Sequence, residues 1–207
     1  MKNLIIIGAG GYSKSVIDSL NLYEYNIIGF IDDYKDDKEH LGYPILGKNL
    51  ESIKELHKYC YFIAIGNNEQ RKKWFDILIE KKLEIINVID KTAIISQRAN
   101  LGIGCFIGKM AILNSCVKIG NDCIINTKAL VEHGCKVSDH TNISTNTVLN
   151  GDVQVYESSF IGSCSVINGQ ITIGKKVIVG SGSVVIRDVE NFCTVVGVPA
   201  KVIKKSE

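Results

Sequence analysis

The sequence predicts two architectures in tandem: an α/β domain of Rossmann type over residues 1–90 and an all-β parallel β-helix over residues 91–207. Three observations carry that expectation. From Leu101 to Val185 every sixth residue is aliphatic, fifteen times without a slip, beginning Leu101, Ile107, Leu113, Ile119 and ending Ile173, Val179, Val185. An amphipathic helix would repeat every 3.6 residues instead. Two positions before the aliphatic the side chain is usually small, as at Ala99, Cys105, Ala111, Cys123, Ala129, Cys135, Thr141, Thr147, Ser159, Ser165 and Ser183. Positions two apart on a strand share a face, so both members of each pair point inward. The residue after the aliphatic is often Gly or Asn, which suits left-handed backbone or turn geometry. A short strand plus a turn, repeated every six residues, is a β-helix rung. The third observation is the alternation of apolar runs with helical stretches before the repeat starts.

In that first part, Leu4-Ile5-Ile6-Ile7 reads as a buried parallel strand. The turn Gly8-Ala9-Gly10-Gly11-Tyr12-Ser13 follows, and a helix is expected over 13–20. Further strands are expected at 27–31, ending in Asp32-Asp33, at 61–65, ending in Gly66-Asn67-Asn68, and at 85–89, with a helix over 69–81 before the last. A doubly wound sheet binds its ligand beyond the strand carboxyl ends, where these turns gather. The glycine turn suits a phosphate through backbone N–H groups at a helix N-terminus. Ser13 stands where a dinucleotide fingerprint has its third glycine, although Asp32 lies at the distance of a ribose-binding acid. A single nucleotide or nucleotide-sugar therefore fits better than NAD, and an ordinary βα turn without ligand is the plain alternative.

A net charge of +2 with no basic block argues against nucleic acid as main partner. The opening apolar run is too short for a signal peptide or membrane span, so a cytoplasmic location is expected. The seven cysteines include no Cys-x-x-Cys pair. They read as reduced packing residues, with Cys105, Cys123 and Cys135 on the small inward position as compact hydrophobes.

Chemistry on a β-helix must come from outward side chains. Of the four histidines, His40 and His57 lie in polar segments and are expected to be solvated. His133 and His140 lie inside the repeat. His133, two residues past Val131, should project near a corner, where an imidazole can act as general base or be an ordinary surface residue. No compact ligand spacing points to a metal beyond His140 itself.

The hexapeptide repeat with a glycine-turn N-terminal domain resembles the sugar acyltransferases that include sialic acid O-acetyltransferases and N-acetyltransferases of nucleotide-linked 4-amino sugars. The markers are Gly8-Ala9-Gly10-Gly11-Tyr12, Asp32-Asp33, the stretch from Phe62 to Lys73, Val131-Glu132-His133 and Gly197-Val198-Pro199-Ala200-Lys201. The bacillosamine-type UDP-4-amino sugar enzymes are the most similar members. The resemblance implies a left-handed β-helix, a homotrimer, and acetyl-CoA in the groove between neighbouring prisms with no catalytic metal. It implies His133 as base with Asn126 beside it, and Asn142, Ser163, Ser181 and Lys201 along the CoA groove. Gly10, Gly11, Tyr12, Asp32, Asp33 and Gly66 would bind the nucleotide-sugar. Three positions depart from the family pattern. Gly134 replaces the acidic residue that often follows the histidine, leaving Glu132 or a carboxylate of another coil to orient the imidazole. Asn142 and Tyr12 replace histidines. The expected activity is N-acetylation of a UDP-linked 4-amino sugar for surface glycan synthesis. O-acetylation of sialic acid or a related sugar, and a non-catalytic nucleotide-sugar-binding β-helix, are the alternatives.

Overall fold

The computed structural model describes residues 1–35 and 37–206 and divides into two units, Met1–Val88 and Ile89–Glu207. In the first, β1 (Lys2–Ile7) runs down the middle of a sheet because its four aliphatics are at most 1% exposed. Around it lie α1 (Gly11–Ser19), β2 (Tyr25–Ile31), β3 (Glu39–His40), β4 (Tyr43–Gly47), β5 (Cys60–Ile63), α2 (Asn68–Glu80) and β6 (Glu84–Ile85). The sheet order is β3-β4-β2-β1-β5-β6, parallel except for β3 against β4. The chain therefore reverses direction of winding at β1, which opens the crevice between the ends of β2, β1 and β5. Two features depart from the sequence reading. The short β3–β4 pair was not expected, since neither segment has a strand-length apolar run. The strand expected at 85–89 is broken: Glu84–Ile85 closes the first sheet, while Val88–Ile89 already belongs to a sheet of the β-helix.

The second unit is a left-handed parallel β-helix with three flat faces. Its rungs begin two repeats before Leu101, with Val88–Ile89 and then Ile94–Ile95. The first face carries Val88–Ile89, Phe106–Ile107, Ile124–Ile125, Asn142–Ile143, Phe160–Ile161 and Ile178–Val179. The second carries Ile94–Ile95, Ile112–Leu113, Leu130–Val131, Val148–Leu149, Val166–Ile167 and Val184–Val185. The third carries Asn100–Leu101, Lys118–Ile119, Lys136–Val137, Gln154–Val155 and Thr172–Ile173. Each strand pairs with the one a full coil away, as Leu113 with Val131 and Val131 with Leu149. A hairpin, Cys193–Gly197 with Ala200–Lys205, extends the first face.

The aliphatic column fills the interior, and the small residues two positions earlier are buried beside it. Those small residues do more than occupy little space. Thr147 Oγ1 donates to the Gly162 carbonyl at 3.0 Å, Ser159 Oγ to Gly174 at 2.7 Å and Ser165 Oγ to Gly180 at 3.0 Å. The thiols of Cys105, Cys123 and Cys135 reach the carbonyls of Gly120, Ser138 and Asn150 in the same way, at 3.1, 3.2 and 3.0 Å. Burial pushes the Cys135 thiol up to about 11, so it stays protonated and can donate. Corner carbonyls that turn inward thus find a partner inside an otherwise apolar prism, where an unpaired one would be costly. Cysteine here is a weak donor as well as a compact hydrophobe; Cys60 and Cys193 are buried elsewhere, and Cys116 and Cys164 are exposed at corners.

The glycines after the aliphatic have a different reason from the one their position suggested. Left-handed backbone falls three residues after the aliphatic, at Cys116, Asp122, Lys128, Gly134, His140, Asn146 and Asp152 among others. Gly120 and Gly162 have no such φ; a Cβ there would lie 2.7 Å from Asp139 N or 2.6 Å from Ser181 N on the adjoining coil. Close approach of coils, not left-handed torsion, keeps those positions bare.

Ser159 Oγ also accepts from Val177 N at 3.0 Å, so one hydroxyl serves two buried backbone groups. Ser159→Ala should destabilise the β-helix by about 1–3 kcal/mol, read by calorimetry as a melting temperature lower by roughly 2–10 °C. An unchanged transition would show that these interior bonds are not what the small polar residues supply.

Candidate active site

A cavity of about 760 Å³ opens at the carboxyl ends of β1, β2 and β5. All six residues read from the sequence as substrate-binding, Gly10, Gly11, Tyr12, Asp32, Asp33 and Gly66, line it. The strand ends are tied together by Gly8 N to the Ile31 carbonyl at 2.8 Å and Ala64 N to the Ile7 carbonyl at 2.6 Å. The two aspartates have separate duties. Asp32 accepts from Ala9 N at 2.7 Å through one oxygen, and from Tyr34 N and Lys35 N at 3.0 Å through the other. Its carboxylate is spent on pinning the glycine turn to the end of β2. Asp33 is exposed and makes no hydrogen bond among the described residues; burial, then the adjacent Asp32 charge, pushes its carboxyl up. It is the acid with capacity left for a ligand.

Several cavity residues escaped the sequence reading: Asn49, Gln70, Lys73, Trp74 and Ile77. Four of them lie on α2, and its helical period puts 70, 73, 74 and 77 on one face. Arg71, on the buried side, was missed as a positioning group. It is 1% exposed, and its guanidinium donates to the carbonyls of Ile65 and Gly66, both at 3.3 Å, and to Asn68 Oδ1 at 3.0 Å. It shapes the loop that carries Gly66.

His40 is a correction. It is buried rather than solvated, packed edge-on against Phe30 at 5.1 Å. Ser13 Oγ donates to the Gly10 carbonyl at 2.7 Å, so the 2.9 Å contact with His40 requires Nε2–H as donor. Nδ1 then accepts from Lys35 Nζ at 3.2 Å. The residue replacing the third glycine of a dinucleotide turn thus anchors Gly10 to a neutral imidazole. Burial, and next the Lys35 charge, hold the His40 pKa low. His57 is exposed, as expected.

On the β-helix, His133 is exposed at the corner where the second face ends. Glu132 Oε2 accepts from His133 N at 3.2 Å and so holds the main chain there. The imidazole leans over the next coil: a Cβ on Gly151 would lie 2.6 Å from Cε1 and 2.8 Å from Nε2. His140 lies elsewhere, at the following corner. It is buried, and its Nδ1 meets Asp122 Oδ2 at 2.8 Å. A carboxylate one coil away, which spacing along the chain did not suggest, thus accounts for it; among the described residues no cluster of three or more metal-ligating groups forms.

Asn126 stands at the corner where the second face begins, and its Oδ1 accepts from Thr127 N at 2.8 Å. Ser163 and Ser181 follow along that same corner, one and two coils beyond Thr145. Their main-chain N–H groups have no partner among the described residues, and Gly162, Gly180 and Gly182 leave the edge bare. That edge presents main-chain donors to a carbonyl-bearing chain. Asn142, on the first face, is buried and accepts from Ser144 Oγ at 3.3 Å; Lys201 is exposed on the terminal hairpin. At about 3.3 Å per extended residue, the seven residues from Asn126 to His133 span on the order of 20 Å. The two side chains stand at successive corners of the same coil.

Residues 3–78 match the PglD N-terminal domain. Perosamine N-acetyltransferase from Caulobacter crescentus, solved as a histidine-to-asparagine variant with CoA and GDP-perosamine, superposes with a TM-score of 0.92 at 30% identity, covering 99% of this chain and 98% of that one. The acetyltransferase domain of PglB from Neisseria gonorrhoeae, in complex with acetyl coenzyme A, gives 0.91 at 28%, over 98% and 99%. UDP-N-acetylbacillosamine N-acetyltransferase of Bacillus subtilis (strain 168) is 34% identical over 113 residues, 52% of this chain and 51% of that protein. An uncharacterised protein of Acanthamoeba polyphaga mimivirus matches over 20% of its length at 32% identity, so the chain spans about half or less of these curated relatives. The chain belongs to the hexapeptide-repeat family of acetyl-CoA-dependent sugar acetyltransferases. Among the described residues no helix is long and apolar enough to cross a membrane.

Two outcomes follow. Because the folded-state pKa of His40 lies below its ordinary value of 6.5, its contribution to stability is complete above that pH. It is lost as pH falls toward the folded-state value. Melting curves between about pH 7 and pH 5 should therefore fall for the wild type and stay flatter for His40→Gln; parallel curves would contradict the neutral assignment. Gly151→Ala should push the imidazole off its seat and lower kcat by up to about 10²-fold, with the β-helix transition intact. Wild-type kcat would show that the seat has no catalytic consequence.

Proposed function

We propose that this chain transfers the acetyl group of acetyl-CoA to the amine of a UDP-linked 4-amino sugar, for bacterial surface glycan synthesis, with His133 as general base. The observation that carries this reading is the exposed His133 imidazole seated on Gly151 at a bare β-helix corner. As the amine nitrogen attacks the thioester carbonyl carbon, His133 takes the proton that nitrogen loses. The C–S bond then breaks and the thiol leaves carrying a proton. Thiolate is a good leaving group, so a positioned base worth about 10²–10⁴ in rate is the main demand on the protein. GDP-perosamine, bound in one relative, and UDP-N-acetylbacillosamine, the acceptor in the name of another, support an amine acceptor on a nucleotide-linked sugar.

In the cavity, the first-turn N–H groups of α1 at Gly11 and Tyr12, together with Lys73, would take the diphosphate. Asp33 would accept from ligand hydroxyls, while Asp32 and Gly10 shape the turn and Gly66 leaves room at the end of β5. Asn142, Ser163, Ser181 and Lys201 would line the path of acetyl-CoA. The roughly 20 Å between Asn126 and His133 supports a site assembled from two copies, one supplying each corner. A homotrimer closes such heterologous contacts into a ring.

His133→Ala should lower kcat by about 10²–10⁴-fold in a free-thiol release assay with acetyl-CoA and a UDP-4-amino-4,6-dideoxy sugar. Wild-type turnover would remove the proposed base. Substituting GDP-linked and hydroxyl-bearing acceptors tests nucleotide and acceptor together. If Asn126→Ala is also inactive, random trimers of the two variants should recover about one quarter of wild-type activity, because one site in four then has both side chains. No recovery would place both in one chain's site.

A further inference from the structure

We infer that Asp152 is the positioning residue of His133, a carboxylate supplied by the next coil in place of one following the histidine in sequence. The inference rests on the reading of His133 as base. Four residues form two adjoining columns at this corner: His133 stacks on Gly151, and Gly134 on Asp152, with Asp152 N donating to the His133 carbonyl at 2.9 Å. The two side chains cross between coils in opposite directions. The imidazole reaches onto Gly151, and the carboxylate reaches back over Gly134, where Asp152 Oδ1 occupies the place a Cβ would take. Consecutive Cα atoms are 3.8 Å apart, so the carboxylate and the ring occupy neighbouring columns of the same exposed corner.

Backbone torsion does not explain why position 134 is glycine. Cys116 and Asp152, at the same point of the coils on either side, hold φ of 63° and 60°, close to the 70° of Gly134. A side chain is therefore tolerable there by torsion, and the place of its Cβ is taken by the Asp152 carboxylate. At Gly151 φ is ordinary, and what excludes a side chain is the ring. Two bare positions accommodate two crossed functional groups. Glu132, the alternative acid, is already accepting from the His133 main chain. Asp152 and His133 are both exposed, and no hydrogen bond or ion pair joins their side chains among the described residues, so a rotation about the side-chain bonds of either is what brings the carboxylate to the ring. A carboxylate beside the imidazole orients it and stabilises the imidazolium formed when the amine loses its proton.

The test is steady-state kinetics on full-length Asp152→Asn, His133→Ala and the relocated pair Gly134→Asp with Asp152→Gly. Since Asp152 is exposed, the variant should fold, and a melting curve verifies it. Expected for Asp152→Asn is a kcat lower by at least roughly tenfold, with KM for acetyl-CoA and sugar substrate within about twofold of wild type. The relocated pair should recover most of the loss, because it returns a carboxylate to the same corner from the other coil. Unchanged kcat in Asp152→Asn, with His133→Ala inactive, would overturn the role of Asp152 and leave the base standing. A raised KM at unchanged kcat would make Asp152 a binding contact and equally overturn it. Full activity in His133→Ala would bring down the base reading, and this inference with it.

Discussion

Everything in the second unit depends on how closely one coil lies on the next. Backbone ladders set neighbouring rungs about 4.8 Å apart, and each residue then has a fixed partner one coil away. That spacing forces the inward positions to alternate aliphatic with small, and it strips side chains from corners where backbones meet. It also makes each corner a column of residues far apart in sequence. The crossed pair of His133 over Gly151 and Asp152 over Gly134 is a product of this constraint, as is the burial of His140 against Asp122.

The interior shows how the constraint is met chemically. A prism filled only with aliphatics would leave inward-turned corner carbonyls unpaired. Serine, threonine and cysteine at the small position supply a donor of the right reach, from one corner to the carbonyl fifteen residues on. The same residues keep the volume low enough for the aliphatic column to close. Stability and register thus come from one set of side chains, and the outer surface is left free for chemistry.

Much of this was legible in the sequence because the six-residue period is written directly in residue types. The strand-end cavity was legible for the same reason: Gly10, Asp32 and Gly66 follow apolar runs whose parallel pairing dictates where they gather. What escaped was set by contacts across long sequence distances. His40 sits among charged residues, yet folding packs it on Phe30 and Ser13. Gly120 reads as a turn residue, yet the adjoining coil decides it. Gly134 reads as a missing acid until Asp152 is seen above it. Arg71 lies on a polar helix, and only the loop from Ile65 to Asn68 gives it a role.

In the proposed reaction the imidazole of His133 meets the acceptor amine at a corner completed by a second copy of the chain. Its most direct measurement is a crystal structure with CoA and the unacetylated UDP-linked 4-amino sugar. His133 Nε2 or Nδ1 should lie within about 3.2 Å of the amine nitrogen, or be joined to it by one water, with Asn126 of a neighbouring copy on the far side of the thiol. An amine bound well beyond that reach from any His133, or a single chain holding both substrates by itself, would contradict it.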